Sequence, residues 1–553
     1  MIIKLKYFSL IVISLIFYTC ANQQAPPGGP KDLIPPEILN IYPENGTLNF
    51  SDDYFEIDFS EYVDKLSLLD AFFVSPEINN LDYDWSGTSV KITFEDTLFE
   101  NTTYTISIGS SIKDLNNQNP MEKATNISFS TGNKIDVGKV TGKVFDKDLT
   151  GTMIFAYHKV DTFANPIFNK PDKVTQVGEN GEYQLLGLKN GEYRLFAIKD
   201  ANGNRVYNVG EDYYGVTSKG IKLSDSLHFF SGINFKLTNE DTLAPFISNI
   251  TMTDNYHLSI EYSEFLDSSK IDASNFYVFD TLVNESVNAK YFYSGNRQKH
   301  EYLIVLADTL AGGESSYLVA KNITDKYSNI NDKEEFEFIA NTKTDTLAPE
   351  IKSIKTPFDK KQIDFEEPTF NVILTDGVDE LDFKKAIEIE DFDIDVKKIN
   401  DALFNINILN NLEAKQTIDF KINYNLLSDA AGNSMDSVET FSLETLSGRE
   451  FSGLSGHVNG KENSQKIIVK INNVDNNLLS YSVNVDNNQN YKFDRVLPGK
   501  YILWIFEDSD SNNQYSYGKV EPYIQSERFH YSLDTLNLRA RWPVGDVLIN
   551  FDD

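Results

Sequence analysis

Apolar and polar residues alternate in short runs along most of the chain. Phe55, Ile57 and Phe59 are separated by Glu56 and Asp58, and Leu258, Ile260 and Tyr262 by Ser259 and Glu261. Phe370, Val372 and Leu374 repeat the pattern. A period of two marks a strand with one face in a core. These runs share one ten-residue frame, 55–64, 258–267 and 370–379, in which the first, third and fifth positions are always apolar. Each frame lies in a unit opened by proline: Pro35 and Pro36, then Pro245 after Asp241, then Pro349 after Asp345. Each unit also carries a late Asp/Asn turn, at 113–119, 325–329 and 429–433. A closing strand follows each turn, with Ile127 and Phe129, Phe336 and Phe338, and Phe441 and Leu443 pointing one way. Short strands between such turns predict β-sandwiches about 100 residues long.

A second repeat is interleaved. Residues 179–210 align without gaps on 487–518, pairing Tyr183 with Tyr491, Gly191 with Gly499, Tyr193 with Tyr501, Asp200 with Asp508 and Tyr207 with Tyr515. Tyr193, Leu195 and Ala197, and Tyr501, Leu503 and Ile505, alternate as strands. This repeat resembles the carboxypeptidase-regulatory, transthyretin-like β-sandwich of Bacteroidota envelope proteins, which implies a non-catalytic packing, spacing or binding unit. Residues 34–133, with Phe59-Ser60-Glu61 and the Asp114 turn, resemble a bacterial Ig-like domain of the S-layer, SbsA type. The expected fold is therefore all-β, a string of about five β-sandwich domains after a signal peptide. The expected divisions are a signal at 1–19, a Pro/Gly tether at 20–33 and an Ig-like domain at 34–133. A regulatory-like sandwich at 135–240, Ig-like domains at 241–342 and 343–447, and a second regulatory-like sandwich at 448–553 complete the order. One short helix is expected, from Phe383 to Ile389, and the sequence leaves open whether the five units form a rod or a folded-back block.

The N-terminus reads as an export signal. Lys4 and Lys6 precede an apolar stretch from Tyr7 to Tyr18, too short for a transmembrane helix. Phe17-Tyr18-Thr19-Cys20 resembles a bacterial lipobox, which implies that Cys20 is acylated and anchors the mature protein in the outer membrane. The stretch from Cys20 to Pro36 resembles the start of Bacteroidota envelope lipoproteins. No acidic run follows Cys20, so the periplasmic and cell-surface faces both stay open.

The 553 residues hold 50 Lys and Arg against 83 Asp and Glu, a net charge of −33, with a single cysteine. Such a field repels phosphates and argues against nucleic acid as a partner. One cysteine cannot build a disulfide framework. The six histidines, His158, His228, His257, His300, His457 and His530, are not at metal-ligand spacing, and no Gly-x-Ser-x-Gly elbow occurs. Asp58, Glu61 and Asp64, or Glu261, Glu264 and Asp267, could be read as an acid/base cluster, but alternation puts Asp58 and Glu261 on the solvent face of a strand, which is the better reading. Oxygen-bearing Asp200, Asn202, Asn204, Asn208 and Glu211 stand at positions 1, 3, 5, 9 and 12 of a loop, the spacing that wraps Ca²⁺. Arg205 replaces the usual glycine at position 6, and an Asx-rich turn is the competing reading. The sister loop from Asp508 carries Lys519 at position 12. No cofactor is required by any of these patterns, and Ca²⁺ is the one candidate.

Asp-Thr/Ser-Leu/Val tripeptides recur and resemble the O-glycosylation acceptor of exported Bacteroidota proteins, which implies modification at Thr97, Ser226, Thr242, Thr281, Thr309, Thr346, Ser437 and Thr535. Tyr213, Tyr214, Tyr515, Tyr517 and Tyr523, near loop ends, are the candidate contacts for a partner. The leading expectation is a non-enzymatic, lipid-anchored outer-membrane scaffold or interaction protein, an accessory subunit of an assembly or export complex with other envelope proteins as partners. The alternatives are a glycan- or cell-wall-binding surface module and a hydrolase whose site the linear chain hides.

Overall fold

The computed structural model describes residues 32–295, 300–312, 315–358, 361–460, 466–476 and 479–551. The described chain is a string of β-sandwiches. In the first, a sheet ordered Ile38–Tyr42, Tyr54–Phe59, Ser89–Thr93, Asp82–Ser86 faces a sheet of Phe72–Ser75, Thr103–Ile108 and Thr125–Ser130. The fourth repeats the plan, with Ile351–Lys355, Thr369–Leu374, Leu403–Ile408 and Ile394–Asn400 over Gln362–Ile363, Val438–Thr445, Thr417–Asn423 and Ile387–Ile389. The third is one bent seven-stranded sheet, because Glu285–Ser294 pairs first with Phe276–Asp280 and then, past a register shift, with Glu301–Leu306. The nine apolar residues of the shared frame named above are each 1% exposed or less, so the alternation does fill three cores.

The tenth frame position explains two helices. Asp64 and Asp379 accept hydrogen bonds from the backbone N–H of Leu66 (3.0 Å) and Leu381 (2.8 Å), capping Lys65–Ala71 and Glu380–Ala386. The helix expected from Phe383 to Ile389 therefore starts and ends three residues earlier, and Ile387–Ile389 is a strand. The helix at Lys65–Ala71 went unread.

The second and fifth sandwiches share a detail that reaches beyond their aligned segment. Tyr183 Oη donates to the Ile233 carbonyl (2.7 Å) and Tyr491 Oη to the Val547 carbonyl (3.1 Å). Both carbonyls lie 1.9 Å from where a Cβ would stand on Gly142 and Gly456, so each strand passes its neighbour only because glycine is there.

The five units do not extend as a rod. Beyond the separate cores, one apolar cluster joins Phe73 of the first sandwich, Phe155, Tyr157, Phe196 and Ile198 of the second, and Val520 of the fifth. Another joins Phe145 of the second to Trp504, Phe506, Tyr515 and Phe529 of the fifth. The cause is strands that are apolar on both sides. In Thr152–His158, Gly191–Lys199 and Gly499–Glu507 consecutive residues are buried, which a sheet with one wet face does not allow. Their outer faces meet, and the chain folds back so that its fifth unit sits on its second.

Candidate functional site

The internal repeat places one carboxylate triad at the apex of three sandwiches. The opening aspartate, the seventh frame residue and the late-turn aspartate give Asp32, Glu61 and Asp114, then Asp241, Glu264 and Asp325, then Asp345, Asp376 and Asp429. The same bond closes all three: the late-turn asparagine, Asn119, Asn329 or Asn433, donates its amide to the carbonyl of the opening aspartate at 3.1, 3.0 and 3.3 Å. In the second and third copies a ligand oxygen from each member lies within 4.8 Å of the others. Close carboxylates resist joint ionisation. Burial, then the charges of Asp241 and Asp325, push Glu264 up to about 7, and Glu61 is raised by burial and by Asp114 and Asp32. Late-turn Asp114 is lowered instead, since the backbone N–H groups of Asn117 and Asn119 outweigh its burial.

The third triad has an internal cation. His257, from the third sandwich, shares hydrogen bonds with Asp254 (2.9 Å) through Nδ1 and with Asp376 (3.0 Å) through Nε2. Burial opposes its charge, but these two carboxylates raise it to about 10. Tyr293 Oη donates to the other oxygen of Asp376 (3.2 Å), and the Phe292 N–H donates to Asp401 (2.7 Å). The eighth frame residue, Tyr62 or Phe265 elsewhere, is Gly377 here, and a Cβ on it would stand 2.6 Å from Tyr291 Cβ. Tyr291, Tyr293 and Val305 of the third sandwich thus complete the core of the fourth.

The first–second, fourth–fifth and second–fifth contacts are filled too. Lys173 is buried at the first junction, donating to the carbonyls of Ser75 (3.1 Å) and Thr103, and desolvation lowers it to about 7. At the last, Arg495 grips Asp364 and Glu366 and lies 4.2 Å over the Phe451 ring. Between the second and fifth, Tyr214 Oη donates to the Gly518 carbonyl (3.0 Å), Ser526 Oγ to the Val216 carbonyl (2.8 Å) and Lys236 Nζ to Tyr531 Oη (3.1 Å). Phe145 stacks on Tyr531 at 5.0 Å, and Arg194 lies 4.1 Å over Tyr523.

Residues 32–131 match the bacterial Ig-like domain. The chain is thus a multi-domain β-sandwich protein headed by a bacterial Ig-like domain. No curated protein matches it in sequence. Among solved structures, the N-terminal part of the bacterial S-layer protein SbsC is similar over 37% of this chain and 44% of that one, at 16% identity and a TM-score of 0.17. SbsC domains 1–6 cover 92% of this chain at 10% identity and a TM-score of 0.17, and this chain spans 67% of their length. The major pilin subunit BcpA of Bacillus cereus covers 75% of this chain, which spans 99% of BcpA, at 11% identity and a TM-score of 0.15. These likenesses concern fold alone.

Several residues singled out by sequence stand clear of the Ig-like apices. Tyr214, Tyr515, Tyr517 and Tyr523 face the chain's own second or fifth sandwich, so four of the five expected partner contacts are used internally; Tyr213 is 44% exposed. In the loop from Asp200 to Glu211, Asp200 accepts from the backbone N–H of Asn204 (3.2 Å) and Arg205 (2.9 Å). Asn202 donates to Glu211 (2.9 Å), and Asn204 and Asn208 bond each other (3.3 Å). Arg205, at the glycine position, has a φ of 61° and reaches Glu77 and the Phe73 ring of the first sandwich. Buried Asp212, which spacing did not flag, organises the loop by accepting from the N–H of Ala201 and Asn208. Of the candidate acceptors, Thr97, Ser226, Thr242, Thr281, Thr309, Thr346 and Thr535 are exposed and Ser437 is half-buried. Cys20 and the signal and tether through residue 31 lie outside the described residues. No described helix is long and apolar enough to cross a membrane.

Proposed function

We propose that this protein is a non-enzymatic scaffold of the bacterial cell envelope, held to the outer membrane by acyl chains on Cys20 and serving as an accessory subunit of an assembly or export complex, in a Bacteroidota-type envelope. The observation that carries the reading is the folding of five sandwiches, headed by a bacterial Ig-like domain, into a block in which the first, second and fifth pack together and the third packs on the fourth. Such a block holds partners at fixed spacing. The apolar run before Cys20 supports the anchor, and the charge of −33 supports contacts with basic surfaces. Lipid burial is worth about 0.8 kcal/mol per CH₂, so more than one acyl chain makes the attachment lasting. The test is fractionation of cells making the wild type or Cys20→Ser, together with tagged co-purification from mild detergent. The wild type is expected in the membrane fraction with a stable partner, and Cys20→Ser in the soluble fraction. A variant that stays with the membrane ends the anchor, and a wild type recovered alone ends the scaffold role.

A further inference from the structure

The sister loop of the fifth sandwich contains a group of side chains that hydrogen bonding leaves incomplete. Asp508 is 2% exposed and Glu527 4%, and one carboxylate oxygen from each lies within 4.8 Å of one from exposed Asp510. Oδ2 of Asp508 accepts from Lys466 Nζ and from the Asn513 N–H. Its Oδ1 is fully buried and has no hydrogen-bond partner among the described residues. A buried carboxylate oxygen without a partner is costly and rare.

The lone pairs can be followed one by one. Glu527 Oε1 accepts from the N–H and Oγ of Ser509, and Oε2 from the Ser516 N–H. Asp510 Oδ1 accepts from the Asn512 N–H, and Oδ2 from Asn512 Nδ2 and Ser516 Oγ. Among the described residues Glu527 and Asp510 therefore each keep one free acceptor position, and Asp508 keeps both on Oδ1. The charge is open too. Three carboxylates face one bonded ammonium, Lys466; Lys470 acts on Asp508 only at longer range, from over the Trp504 and Phe506 rings, and Arg528 pairs with Glu507.

We propose that Asp508, Asp510 and Glu527 bind one hard divalent cation, calcium by their chemistry, at the root of the loop that holds the fifth sandwich on the second. Two oxygens at about 2.3–2.6 Å from one calcium stand at most about 5 Å apart, so the triad suits a single ion. The ligands are all oxygen, and an irregular loop suits calcium better than the strict octahedron of magnesium. The sister loop in the second sandwich is an internal contrast. There Asp212 takes the place of Glu527, accepting from the equivalent N–H groups, but neutral Asn202 replaces Asp510 and is bonded to Glu211. Calcium at 508–527 fixes the root of a loop whose far part carries Val520, Tyr523 and Ser526 onto the second sandwich, and so couples domain closure to the ion. This inference does not depend on the anchor or on any partner.

The test uses the full chain stripped with chelator. Calcium is titrated by calorimetry, and terbium luminescence is excited through Trp504, whose ring is 5.9 Å from that of Tyr515 in the same loop. Asp510→Asn, at an exposed position, is expected to lose one equivalent of bound calcium, or to weaken it by about 10-fold or more, and to lose terbium emission. Asp200→Asn is expected to keep both. Calcium is expected to slow proteolysis between 508 and 527 in the wild type and in Asp200→Asn but not in Asp510→Asn. No calcium bound up to about 10 mM, well above the range of weak extracellular sites, or unchanged stoichiometry and affinity in Asp510→Asn, would overturn the proposal.

Discussion

At the scale of single residues the ends of the third sandwich are the chemically unusual places, and a group at each is raised above its ordinary range. Glu264 is raised from 4.5 to about 7, so the native state holds a proton that the unfolded chain has released. Its stabilisation is full below about pH 4.5 and is lost as pH rises to about 7. His257 is raised from 6.5 to about 10, so its contribution is full below about pH 6.5 and fades toward pH 10. Thermal unfolding of the third and fourth sandwiches across pH 4 to 10 is therefore expected to show two separate losses. Glu264→Gln should erase only the acidic one. His257→Gln leaves half-buried Asp254 and buried Asp376 without their cation, and should lower stability by about 3 kcal/mol or more at pH 6 and by much less at pH 10. A pH profile unchanged by both substitutions would refute the assignment. Spacing hinted at none of this, because Asp241 and Glu264 meet Asp325 only through the fold, and an abundance of carboxylates makes any one of them inconspicuous in the sequence.

At the scale of elements, the strand Thr369–Leu374 and the turn after it show how a repeat departs from itself for a neighbour's sake. Gly377→Ala would bring a Cβ against Tyr291 Cβ and should cost about 1–3 kcal/mol through forced packing, read as an earlier denaturant midpoint for the third and fourth sandwiches. An unmoved midpoint would show that the two sandwiches separate freely there. Phe370, Val372 and Leu374 made their strand legible, since alternation reports a single buried face. In Gly191–Lys199 and Gly499–Glu507 the same rule reports only one of two buried faces. Tyr193, Leu195 and Ala197 fill the core of the second sandwich, and Phe196 and Ile198 on the other side are the trace of a second contact. Trp504 and Phe506 carry that trace in the fifth sandwich. The helix at Lys65–Ala71 was hidden because seven residues hold too few turns for a periodic pattern, although Asp64 marked its start.

At the scale of the whole molecule, closure of the fifth sandwich on the second is the feature that strand patterns could not supply, because it sets how complete domains are arranged. A rod of five units, each about 35–40 Å long, would reach about 180 Å. X-ray scattering from the wild type should give a maximum dimension well short of that. Val520 is fully buried between the two units, and Val520→Glu places a charge inside this apolar cluster. The variant should expand in scattering while its far-ultraviolet circular dichroism stays native. An unexpanded variant would show that the contact around Val520 does not hold the block closed.

The same contact decides which parts of the chain would carry a mechanical load. Tension applied between the first sandwich and the last strand, Val544–Asn550, runs from the first unit to the second and straight into the fifth. The third and fourth units hang outside that line as slack, sheltered until the seal gives way, and their length is then released all at once.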